Sequence, residues 1–435
     1  MRIVVFGLWH LGCVTAACLA EAGHDVVGLD PDPAVIDGLR RKAPPLFEPG
    51  LEELVASGVA AGRLTFTIDP IAALGHAEVL WVTFDTPVNE RDEADVGFVR
   101  ERLETISSAI RQDTLVLISS QVPVGFTRSL ARDWRSHNLR FAYSPENLRL
   151  GKALEIFRAS ERVVVGLENQ ADRGTLGALF APFTPRIEWM TLESAEMTKH
   201  AVNAFLATSV TFINEVARLC EAVGADAREV ESGLKSEGRI GPRAYLSPGP
   251  AIAGGTLARD VRFLMDFGSS RGVETPLLDG VLESNERHKG WLRARIEERL
   301  GGNDPVVAVL GLTYKPGTST LRRSSSVELC EWLHARGVRV RAHDPAVSEL
   351  PVELRPVISL AADPRAALMG ADLAVIATAW PVYRELAPAD FLETMRVPQV
   401  LDQTWFLAGA LAGDQRIAYV ALGRAAAILN RRGNR

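Results

Sequence analysis

Cysteine is scarce in this sequence: the 435 residues include only Cys13, Cys18, Cys220 and Cys330. Their spacing fits neither a disulfide framework nor a metal-binding motif, in which ligands recur a few residues apart. Each cysteine lies in an apolar stretch with helical periodicity, so we expect four buried free thiols. The sequence therefore predicts no disulfide scaffold and no metal site.

Long apolar runs and an excess of positive charge are missing as well. No apolar run approaches the ~20 residues of a membrane span, and the first residues lead directly into a short strand-like run, unlike a secretory signal peptide. The formal net charge of −6 does not favour nucleic acid or an anionic membrane as a partner. We expect a cytoplasmic protein with neither of these partners, and its length suggests two or three domains at roughly 150 residues each.

The N-terminal segment has the order strand, turn, helix, strand. A β-branched run at residues 2–6 is followed by the turn GLWHLG, a helical pattern and a second strand that ends at Asp30. In this dinucleotide-binding arrangement Gly7 forms the tight turn, Gly12 lets the helix pack near the strand, and the helix N-terminus faces the pyrophosphate. The carboxylate of Asp30 would bind a ribose 2′-hydroxyl and repel a 2′-phosphate, which favours NAD over NADP. Trp9 replaces the usual middle glycine and adds bulk where the backbone approaches phosphate.

Strands and helices continue to alternate after this unit. Several strand ends carry short polar or proline-containing loops, at residues 85–87, 120–125 and 144–147. In a doubly wound sheet ligands bind outside the carboxyl ends of the strands, so we expect these loops to line the site, with Thr86 and Gln121 next to the cofactor. The alternative for each loop taken singly is ordinary turn chemistry.

The rest of the chain is organised around the central stretch 192–260. Apolar residues recur every three or four positions in its first half and predict a long helix, Glu193–Val223. Lys199 and Asn203 are four residues apart, which places two polar groups on one helix face, where they can point at one ligand. The Gly/Pro-rich segment that continues to Asp260 predicts a loop suited to wrapping a substrate. An ordinary amphipathic helix followed by a loop is the alternative.

The predicted helix carries more apolar side chains than a helix covered only by its own chain requires. Such a helix needs an apolar stripe of ~100°, whereas the apolar residues here spread further around the circumference: Phe205, Val210, Phe212, Ile213, Val216 and Leu219. A two-fold pairing of two copies would bury the excess. We therefore predict a homodimer built on this helix.

The second half of the chain returns to the α/β pattern. A helical stretch at Leu264–Leu300 and a linker at Gly301–Pro305 precede a second Rossmann-like order of strand, loop and helix. Lys315, Arg322 and Arg323 follow a strand and precede the start of a helix, which is typical of a phosphate clamp; a solvated basic loop is the alternative. The predicted fold class is α/β, with two Rossmann-like doubly wound domains joined by a long central helix and a helical dimerisation region.

Along almost its whole length the chain resembles the UDP-glucose/GDP-mannose dehydrogenase family. The motifs that carry the resemblance are, in order, VVFGLWHLG, FEPGLEEL, VPVG, SPENLRLG, AEMTKHAVNAFLA, FINEVARLCEAVGAD, GRIGPR, AGGTLARD, VLGLTYKPGT, LRRSSSVEL, HDP and ATAW. The resemblance implies two Rossmann-type domains joined by a long helix on which two subunits dimerise. It also implies oxidation of the C6 alcohol of a nucleotide sugar to a carboxylate with two NAD, through an aldehyde and an enzyme-bound thioester. We place an NAD-binding domain at 1–190, a central helical dimerisation and substrate-loop domain at 191–300, and a nucleotide-sugar-binding domain at 301–435.

The resemblance further assigns roles to individual residues. Lys199 and Asn203 match the pair that stabilises developing charge on the sugar oxygen, and Asp260 matches an aspartate that helps to activate water. Glu146 matches the glutamate of the loop that reads SPENLRLG here. The remaining matches fall at substrate-binding positions: Arg239, Gly254, Gly255, Lys315 and Arg322.

Several departures from the family pattern concern the chemistry. The GGxCxxKD loop of the family reads GGTLARD here, is one residue shorter, contains no cysteine and has Arg259 in place of lysine. Gln121, Leu150 and Thr404 stand where the family has threonine, glutamate and arginine. Without a thiolate there is no thiohemiacetal to donate a second hydride and no thioester to hydrolyse. Thr256 is a poor substitute, because a hydroxyl is a weak nucleophile without an adjacent base.

Three hypotheses about function follow. The first is an NAD-dependent nucleotide-sugar oxidoreductase that stops at an aldehyde or ketone, or that oxidises and re-reduces to epimerise. The second is a complete 6-dehydrogenase that uses another nucleophile or oxidises an aldehyde hydrate directly. The third is a nucleotide-sugar-binding homologue without redox chemistry, favoured by Trp9 and opposed by the retained Lys199, Asn203 and Asp260. The number of NADH formed per sugar separates the three.

Overall fold

The computed structural model describes residues 1–87, 95–146, 148–253 and 256–424. The chain forms two compact units, Met1–His200 and Ala201–Arg435. Each unit is built on one open sheet whose strands are flanked by helices. Of the helices in the described ranges, none combines the length and apolar content that crossing a bilayer requires.

The first unit contains an eight-stranded sheet. Its strands are β1 Arg2–Phe6, β2 Asp25–Leu29, β3 Leu64–Thr67, β4 Val79–Val82, β5 Leu115–Ile118, β6 Arg140–Tyr143, β7 Val163–Leu167 and β8 Ile187–Thr191. The spatial order is β3-β2-β1-β4-β5-β6-β7-β8, parallel throughout except for the antiparallel pair β6 and β7. The strands β4 and β5, and β1 from Ile3 onwards, are apolar runs buried on both faces, as expected of a parallel sheet covered by helices.

Helices cover both faces of this sheet, and an apolar core lies on each side of it. Their bounds are α1 His10–Glu21, α2 Pro33–Arg40, α3 Leu51–Ala60, α4 Pro70–Leu74, α5 Val96–Ile106, α6 Phe126–Asp133, α7 Ala153–Arg158 and α8 Arg173–Phe180. The order of the first six strands is that of a doubly wound dinucleotide-binding fold. The predicted fold class is confirmed for this unit.

A single 32-residue helix, α9, runs from Leu192 to Val223. The sequence predicted this helix to within one residue, because its apolar positions repeat at helical spacing over eight turns. One side of α9 is buried and consists largely of small residues, Ala204, Ala207 and Ala217.

The second unit contains a six-stranded sheet in which all neighbours are parallel. Its strands are β9 Val306–Leu310, β10 Arg339–His343, β11 Ile358–Leu360, β12 Leu373–Ile376, β13 Gln399–Asp402 and β14 Ala418–Ala421, in the order β11-β10-β9-β12-β13-β14. Its helices are α10 Ala227–Ser236, α11 Thr256–Ser270, α12 Pro276–Arg299, α13 Ser325–His334, α14 Pro364–Leu368, α15 Pro388–Thr394 and α16 Ala408–Leu411. This second Rossmann-like sheet was also predicted.

Two predictions for the middle of the chain were wrong. The helical stretch at Leu264–Leu300 is two helices, because Gly272 adopts a left-handed φ of +71° and Pro276 then opens α12 at a position where its missing N–H is not needed. The loop predicted to continue to Asp260 instead gives way to α11 at Thr256. From there Leu257, Val261, Leu264 and Met265 recur at helical spacing and pack into one apolar cluster.

Both sheets repeat the same first turn. Gly7 follows β1 with φ +99° and Gly311 follows β9 with φ +100°, conformations that L side chains rarely adopt. An aspartate that follows the next strand then accepts the N–H of the residue after each glycine: Asp30 from Leu8 at 2.7 Å, and Asp344 from Leu312 at 2.8 Å. Each aspartate therefore fixes the turn of its own sheet.

The four cysteines are buried free thiols, as predicted. Cys13 and Cys18 lie in α1, Cys220 in α9 and Cys330 in α13. Burial raises the pKa of Cys18 and of Cys330 to about 12, and it also raises the pKa of the other two thiols. At neutral pH all four are protonated, so none is a ready nucleophile.

His288 of α12 is a buried, neutral imidazole. Its Nε2 lies 2.9 Å from the carbonyl oxygen of Gly249, and because a carbonyl only accepts, Nε2 carries the proton. Burial, reinforced by the positive charge of Arg218, lowers the pKa of His288 to about 4. Nδ1 has no hydrogen-bond partner within the described part of the chain.

We expect the free energy of unfolding to fall as the pH falls below the unfolded-state pKa of His288, about 6.5. Between that pH and about 4 the unfolded chain binds a proton that the folded chain excludes, so protonation favours unfolding. At pH 4.5 the loss due to this group is about 2–3 kcal/mol. The variant His288→Gln keeps a hydrogen-bond donor but does not titrate. The free energy of unfolding, measured by urea titration, should therefore fall by this amount more in the wild-type protein than in the variant when the pH is lowered from 7 to 4.5. Parallel pH profiles would rule out a buried neutral His288.

Candidate active site

The loops after β1, β4 and β5 lie at one edge of the first sheet. These three strands are neighbours, and the chain leaves β1 towards β2 on one side while β4 lies on the other. The gap between β1 and β4 is thus the point where the strand order reverses, which is where ligands bind in open α/β sheets. The structure brings the turn after β1, Thr86 and Gln121 to this edge, because they follow β1, β4 and β5.

The turn after β1 requires glycine at two positions. A Cβ on Gly7 would lie 2.8 Å from the Phe84 ring, and the positive φ of Gly7 disfavours other residues. A Cβ on Gly12 would overlap the carbonyl oxygen of Gly7, which also accepts a 2.7 Å hydrogen bond from the Thr83 hydroxyl. The roles expected of Gly7 and Gly12 therefore agree with the geometry: a tight turn, and close packing of helix on strand.

Trp9 occupies the N-cap position of α1 with φ −88° and ψ −152°. This is extended backbone, which any L residue adopts, so tryptophan at this position costs no left-handed strain. The indole is 46% exposed. What replaces the expected glycine is therefore an exposed side chain at the N-terminus of α1, and the turn itself is not distorted.

Asp30 is buried at the end of β2 and is already hydrogen-bonded to its own turn. One carboxylate oxygen accepts the N–H of Leu8 at 2.7 Å, and the other accepts the N–H of Asp32 at 2.9 Å. A carboxylate oxygen has more than one acceptor direction, so a ribose hydroxyl can still donate to it. Nearby, the Thr86 hydroxyl donates to the carbonyl oxygen of Gln121 at 2.5 Å, which ties the loops after β4 and β5 together.

Lys199 and Glu146 form a pair in the first unit. The Lys199 ammonium donates to the Glu146 carbonyl oxygen at 2.6 Å and lies 3.5 Å from the Glu146 carboxylate. Lys199 is buried, whereas the Glu146 carboxylate is partly exposed and also accepts the N–H of Leu148 at 2.8 Å. The pair thus holds a cation in a fixed place next to a carboxylate that solvent reaches.

Two neighbours of Lys199 on α9 were missed as site residues. The buried Glu196 carboxylate accepts the N–H groups of Gly125 and Thr127 at 2.5 and 2.9 Å, and burial raises its pKa. Nε2 of His200 lies 3.2 Å from the carbonyl oxygen of Val122. The first turns of α9 therefore anchor the VPVG loop. The available signal was the spacing from Glu196, which lies three residues before Lys199 and four before His200.

Glu48 was also missed as a residue that shapes the site. Its carboxylate accepts the N–H groups of Gly151 and Ala153, each at 2.8 Å, and is 2.9 Å from His10 of the glycine-rich turn. Glu48 thereby links the turn after β1 to the loop that contains Glu146. The motif FEPGLEEL indicated that this segment matters but gave no partner.

Asn203 and Asp260 form a pair in the second unit. The Asn203 amide donates a short hydrogen bond to the Asp260 carboxylate, which is completely buried. Asp260 lies one turn into α11, four residues after Thr256, so the two share a helix face. Gly254 and Gly255 lie outside the described residues.

The other predicted substrate-binding residues are more exposed. Arg239 has a side chain that is almost fully exposed, and its guanidinium pairs with Glu237 at 3.0 Å. Lys315 and Arg322 lie in the loop between β9 and α13, at the carboxyl edge of the second sheet, and Arg322 is exposed. Arg323 in the same loop adopts φ +58°. The structure places these cations in the loop that follows β9.

The sequence matches one family over nearly all of its length. Residues 1–184 match the NAD binding domain of the UDP-glucose/GDP-mannose dehydrogenase family, residues 193–287 its central domain, and residues 308–408 its UDP binding domain. The chain belongs to this family. The predicted membership of this family and the predicted cofactor, NAD, are therefore confirmed.

Individual relatives agree with the family assignment. The chain is 35% identical to a UDP-glucose 6-dehydrogenase of Pseudomonas aeruginosa, with 98% of each chain covered. It is 33% identical to the UDP-glucose 6-dehydrogenase of Rhizobium meliloti, and the match covers 98% of this chain and 100% of the relative's chain. The structure of a UDP-glucose dehydrogenase from Pyrobaculum islandicum superimposes with a TM-score of 0.82 at 33% identity, covering 92% of this chain and 93% of the other. The family comprises NAD-dependent dehydrogenases that act on a CH–OH group of nucleotide sugars.

Proposed function

We propose that this family member catalyses a two-electron oxidation of a UDP-sugar and does not continue to the carboxylate. The observation that carries the proposal is the absence of a thiol next to Asp260: no cysteine occurs between Cys220 and Cys330, and the four existing thiols are buried and protonated. The product is an aldehyde or ketone, or an epimer if the hydride is returned. A UDP-sugar is favoured by the UDP binding domain and by the names of the relatives.

The residues at the edge of the first sheet fit NAD. The Gly7–Gly12 turn leaves space that a Cβ would fill, and the N-cap residue of α1 forms no side-chain hydrogen bond within the described part of the chain, so the first N–H groups of the helix can face a pyrophosphate. We assign the adenosine ribose to Asp30 and place Thr86 and Gln121 along the remainder of the cofactor. When bound, NAD supplies the acceptor for a hydride.

We assign the rest of the chemistry to two side chains of α9 and to the carboxylate paired with Lys199. Removal of a hydride from a CH–OH carbon takes two electrons, and the hydroxyl proton must leave with them. The fixed Lys199 cation stabilises the negative charge that develops on the oxygen, and Asn203 adds a donor one helical turn further along α9. The solvent-accessible carboxylate of Glu146, which lies in the same unit as Lys199, takes the proton. We expect no further step, because without a thiol in the loop before Asp260 no thiohemiacetal forms to donate a second hydride.

The proposal is tested by a screen of UDP-, GDP-, ADP-, CDP- and dTDP-sugars with NAD, following absorbance at 340 nm and the mass of the product. We expect turnover with a UDP-sugar and one NADH per sugar, or none net if the product is an epimer. Two NADH per sugar would refute the two-electron limit. Binding without turnover for every sugar would instead favour a non-catalytic homologue.

Complete oxidation remains the second candidate, because one hydroxyl lies on the same helix face as Asp260. Thr256 is the first residue of α11 and precedes Asp260 by one turn. The Thr256 hydroxyl, at the N-terminus of α11, is the nucleophile that this route would use in place of a thiol. The same NADH count decides between the two candidates.

We further propose that two copies of the chain pair through α9. Phe205, Phe212 and Leu219 are seven residues apart, so they lie along one side of the helix, and they are 70%, 49% and 66% exposed. Large apolar side chains in a continuous exposed row mark an interaction surface. The helical periodicity makes a second copy of α9 a fitting partner. The cytoplasmic location and the domain boundaries remain predictions.

Phe212→Asp is expected to convert the dimer to a monomer, since it places a charge in the centre of this row. Sedimentation velocity at micromolar concentration should show about half the mass of the wild-type protein. Ile71→Asp is the matched control, because Ile71 is 75% exposed on α4, well outside the row. A monomeric wild-type protein, or a dimer that survives Phe212→Asp, would refute this interface.

A further inference from the structure

Residues 248–252 form a loop that is buried for most of its length. Pro248, Gly249, Ala251 and Ile252 are buried, although loops usually lie on the surface. Buried backbone N–H and C=O groups need partners, and this loop forms no sheet or helix that would supply them. Side chains from two helices of the same unit meet this need.

Asn214 of α9 holds the first part of the loop. Its side-chain oxygen accepts the N–H of Gly249 at 2.9 Å, and its amide nitrogen donates to the carbonyl oxygen of Pro250 at 3.3 Å. His288 of α12 donates to the carbonyl oxygen of Gly249 at 2.9 Å. Both side chains are buried, so these bonds do not compete with bulk water.

Asn285 of α12 holds the end of the loop. Its side-chain oxygen accepts the N–H of Ile252 at 2.7 Å, and its amide nitrogen donates to the carbonyl oxygen of Ile252 at 3.3 Å. An asparagine amide carries both a donor and an acceptor and can therefore pair with both groups of one residue. The loop is thus held at its first part by both α9 and α12, and at its end by α12.

The loop held by Asn214, Asn285 and His288 precedes α11, the helix that contains the predicted catalytic residue Asp260. Ile252 packs in the same apolar cluster as Val261 of α11, the residue next to Asp260. On its other side the loop, through Pro250 and Ala251, lines a cavity of about 30 Å³ together with Ser326 of α13 and Gln403. Ser326 and Gln403 mark the carboxyl edge of the second sheet, within the part that matches the UDP binding domain.

We propose that Asn214, Asn285 and His288 are positioning residues, which hold the loop 248–252 in the register that lets the following residues bind the nucleotide sugar. None of the three needs to touch the substrate. Their polar groups are already paired with the loop backbone, except for Nδ1 of His288. The proposal rests on the proposed function only for the identity of what the loop binds, because the clamp itself can be measured without ligand.

Amide hydrogen exchange, read residue by residue by NMR, tests the clamp directly. Asn214→Leu should speed exchange at Gly249, and Asn285→Leu should speed it at Ile252, each by roughly 10- to 100-fold, because each removes the acceptor of that N–H. Ser284→Ala is the matched control: it removes a partly buried hydrogen bond from Ser284 to Glu215, the residues adjacent to Asn285 and Asn214, without touching the loop. His288→Gln keeps a donor to Gly249 and should preserve slow exchange.

Calorimetry with UDP-glucose and, separately, with NAD tests the consequence. Each leucine variant should bind UDP-glucose about 10- to 100-fold more weakly and NAD as well as the wild-type protein does, whereas Ser284→Ala should change neither affinity. If the exchange rates at Gly249 and Ile252 are unchanged in folded variants, the side chains of Asn214 and Asn285 do not hold the loop and the proposal is wrong. Faster exchange with unchanged UDP-glucose affinity would overturn the positioning role. A wild-type protein that binds no UDP-sugar would contradict the proposed function, and the exchange experiment would still test the clamp.

Discussion

Lys199→Met is expected to lower turnover of the best nucleotide sugar about 10²–10³-fold, the usual cost of removing one preorganised charge or donor at a reacting oxygen. The structure holds this ammonium 2.6 Å from the Glu146 carbonyl oxygen and 3.5 Å from its carboxylate, so it does not have to be reorganised during the reaction. Methionine retains the length and apolar stem of lysine, which limits the effect on packing. Affinity for NAD should be unchanged, since Lys199 is assigned to the sugar oxygen.

Lys42→Met is the matched control for Lys199, because Lys42 is exposed on the surface of the same unit. Turnover of this control should equal that of the wild-type protein. Steady-state kinetics with saturating NAD provide the measurement. If Lys199→Met turns over within a few-fold of the wild-type rate, the charge on Lys199 is not part of the chemistry and the assignment is wrong.

Gly12→Ala is expected to abolish useful NAD binding and to destabilise the first unit. The added methyl group would overlap the carbonyl oxygen of Gly7, and this carbonyl is held by Thr83, so the backbone itself must shift. Overpacking of this kind costs about 1–3 kcal/mol or more. The distortion falls in the turn that faces the pyrophosphate, and we therefore expect NAD affinity to fall at least about 100-fold.

The control for this substitution is Gly177→Ala in α8. A Cβ on Gly177 meets nothing within 4 Å, so alanine there should be neutral or should stabilise the helix slightly. Calorimetric titration with NAD and thermal unfolding compare the two variants. Normal NAD affinity in a folded Gly12→Ala protein would show that the cofactor does not use this turn.

The sequence predicted the elements whose signals are local. The apolar repeat that defines α9 and the strand–turn–helix order after Met1 are complete within short windows, and both sheets followed from them. The start of α11 was missed because glycine and proline dominate residues 238–255, which suggested that the loop continues to Asp260. The apolar spacing of Leu257 and Val261 competed with that signal and proved correct.

Contacts across long sequence separations could not be predicted. Glu48 accepts N–H groups more than 100 residues away, and Asn285 binds a loop 33 residues earlier in the chain. Such side chains look like ordinary polar residues of helices and loops until the fold brings their partners close. At Trp9 the backbone is extended and does not require glycine, which the sequence pattern alone could not show.

The most direct test of the two-electron limit uses a protein without any thiol. Cys13, Cys18, Cys220 and Cys330 are replaced by alanine or serine, the folded protein is incubated with excess NAD and the best UDP-sugar, and both the NADH formed and the product mass are measured. We expect the cysteine-free protein to be about as active as the wild-type protein. Each of the two proteins should form at most one NADH per sugar. The product should be lighter than the substrate by about 2 daltons for an aldehyde or ketone, or equal in mass for an epimer. Loss of activity in a folded cysteine-free protein, or a product about 14 daltons heavier with two NADH per sugar, would contradict the account.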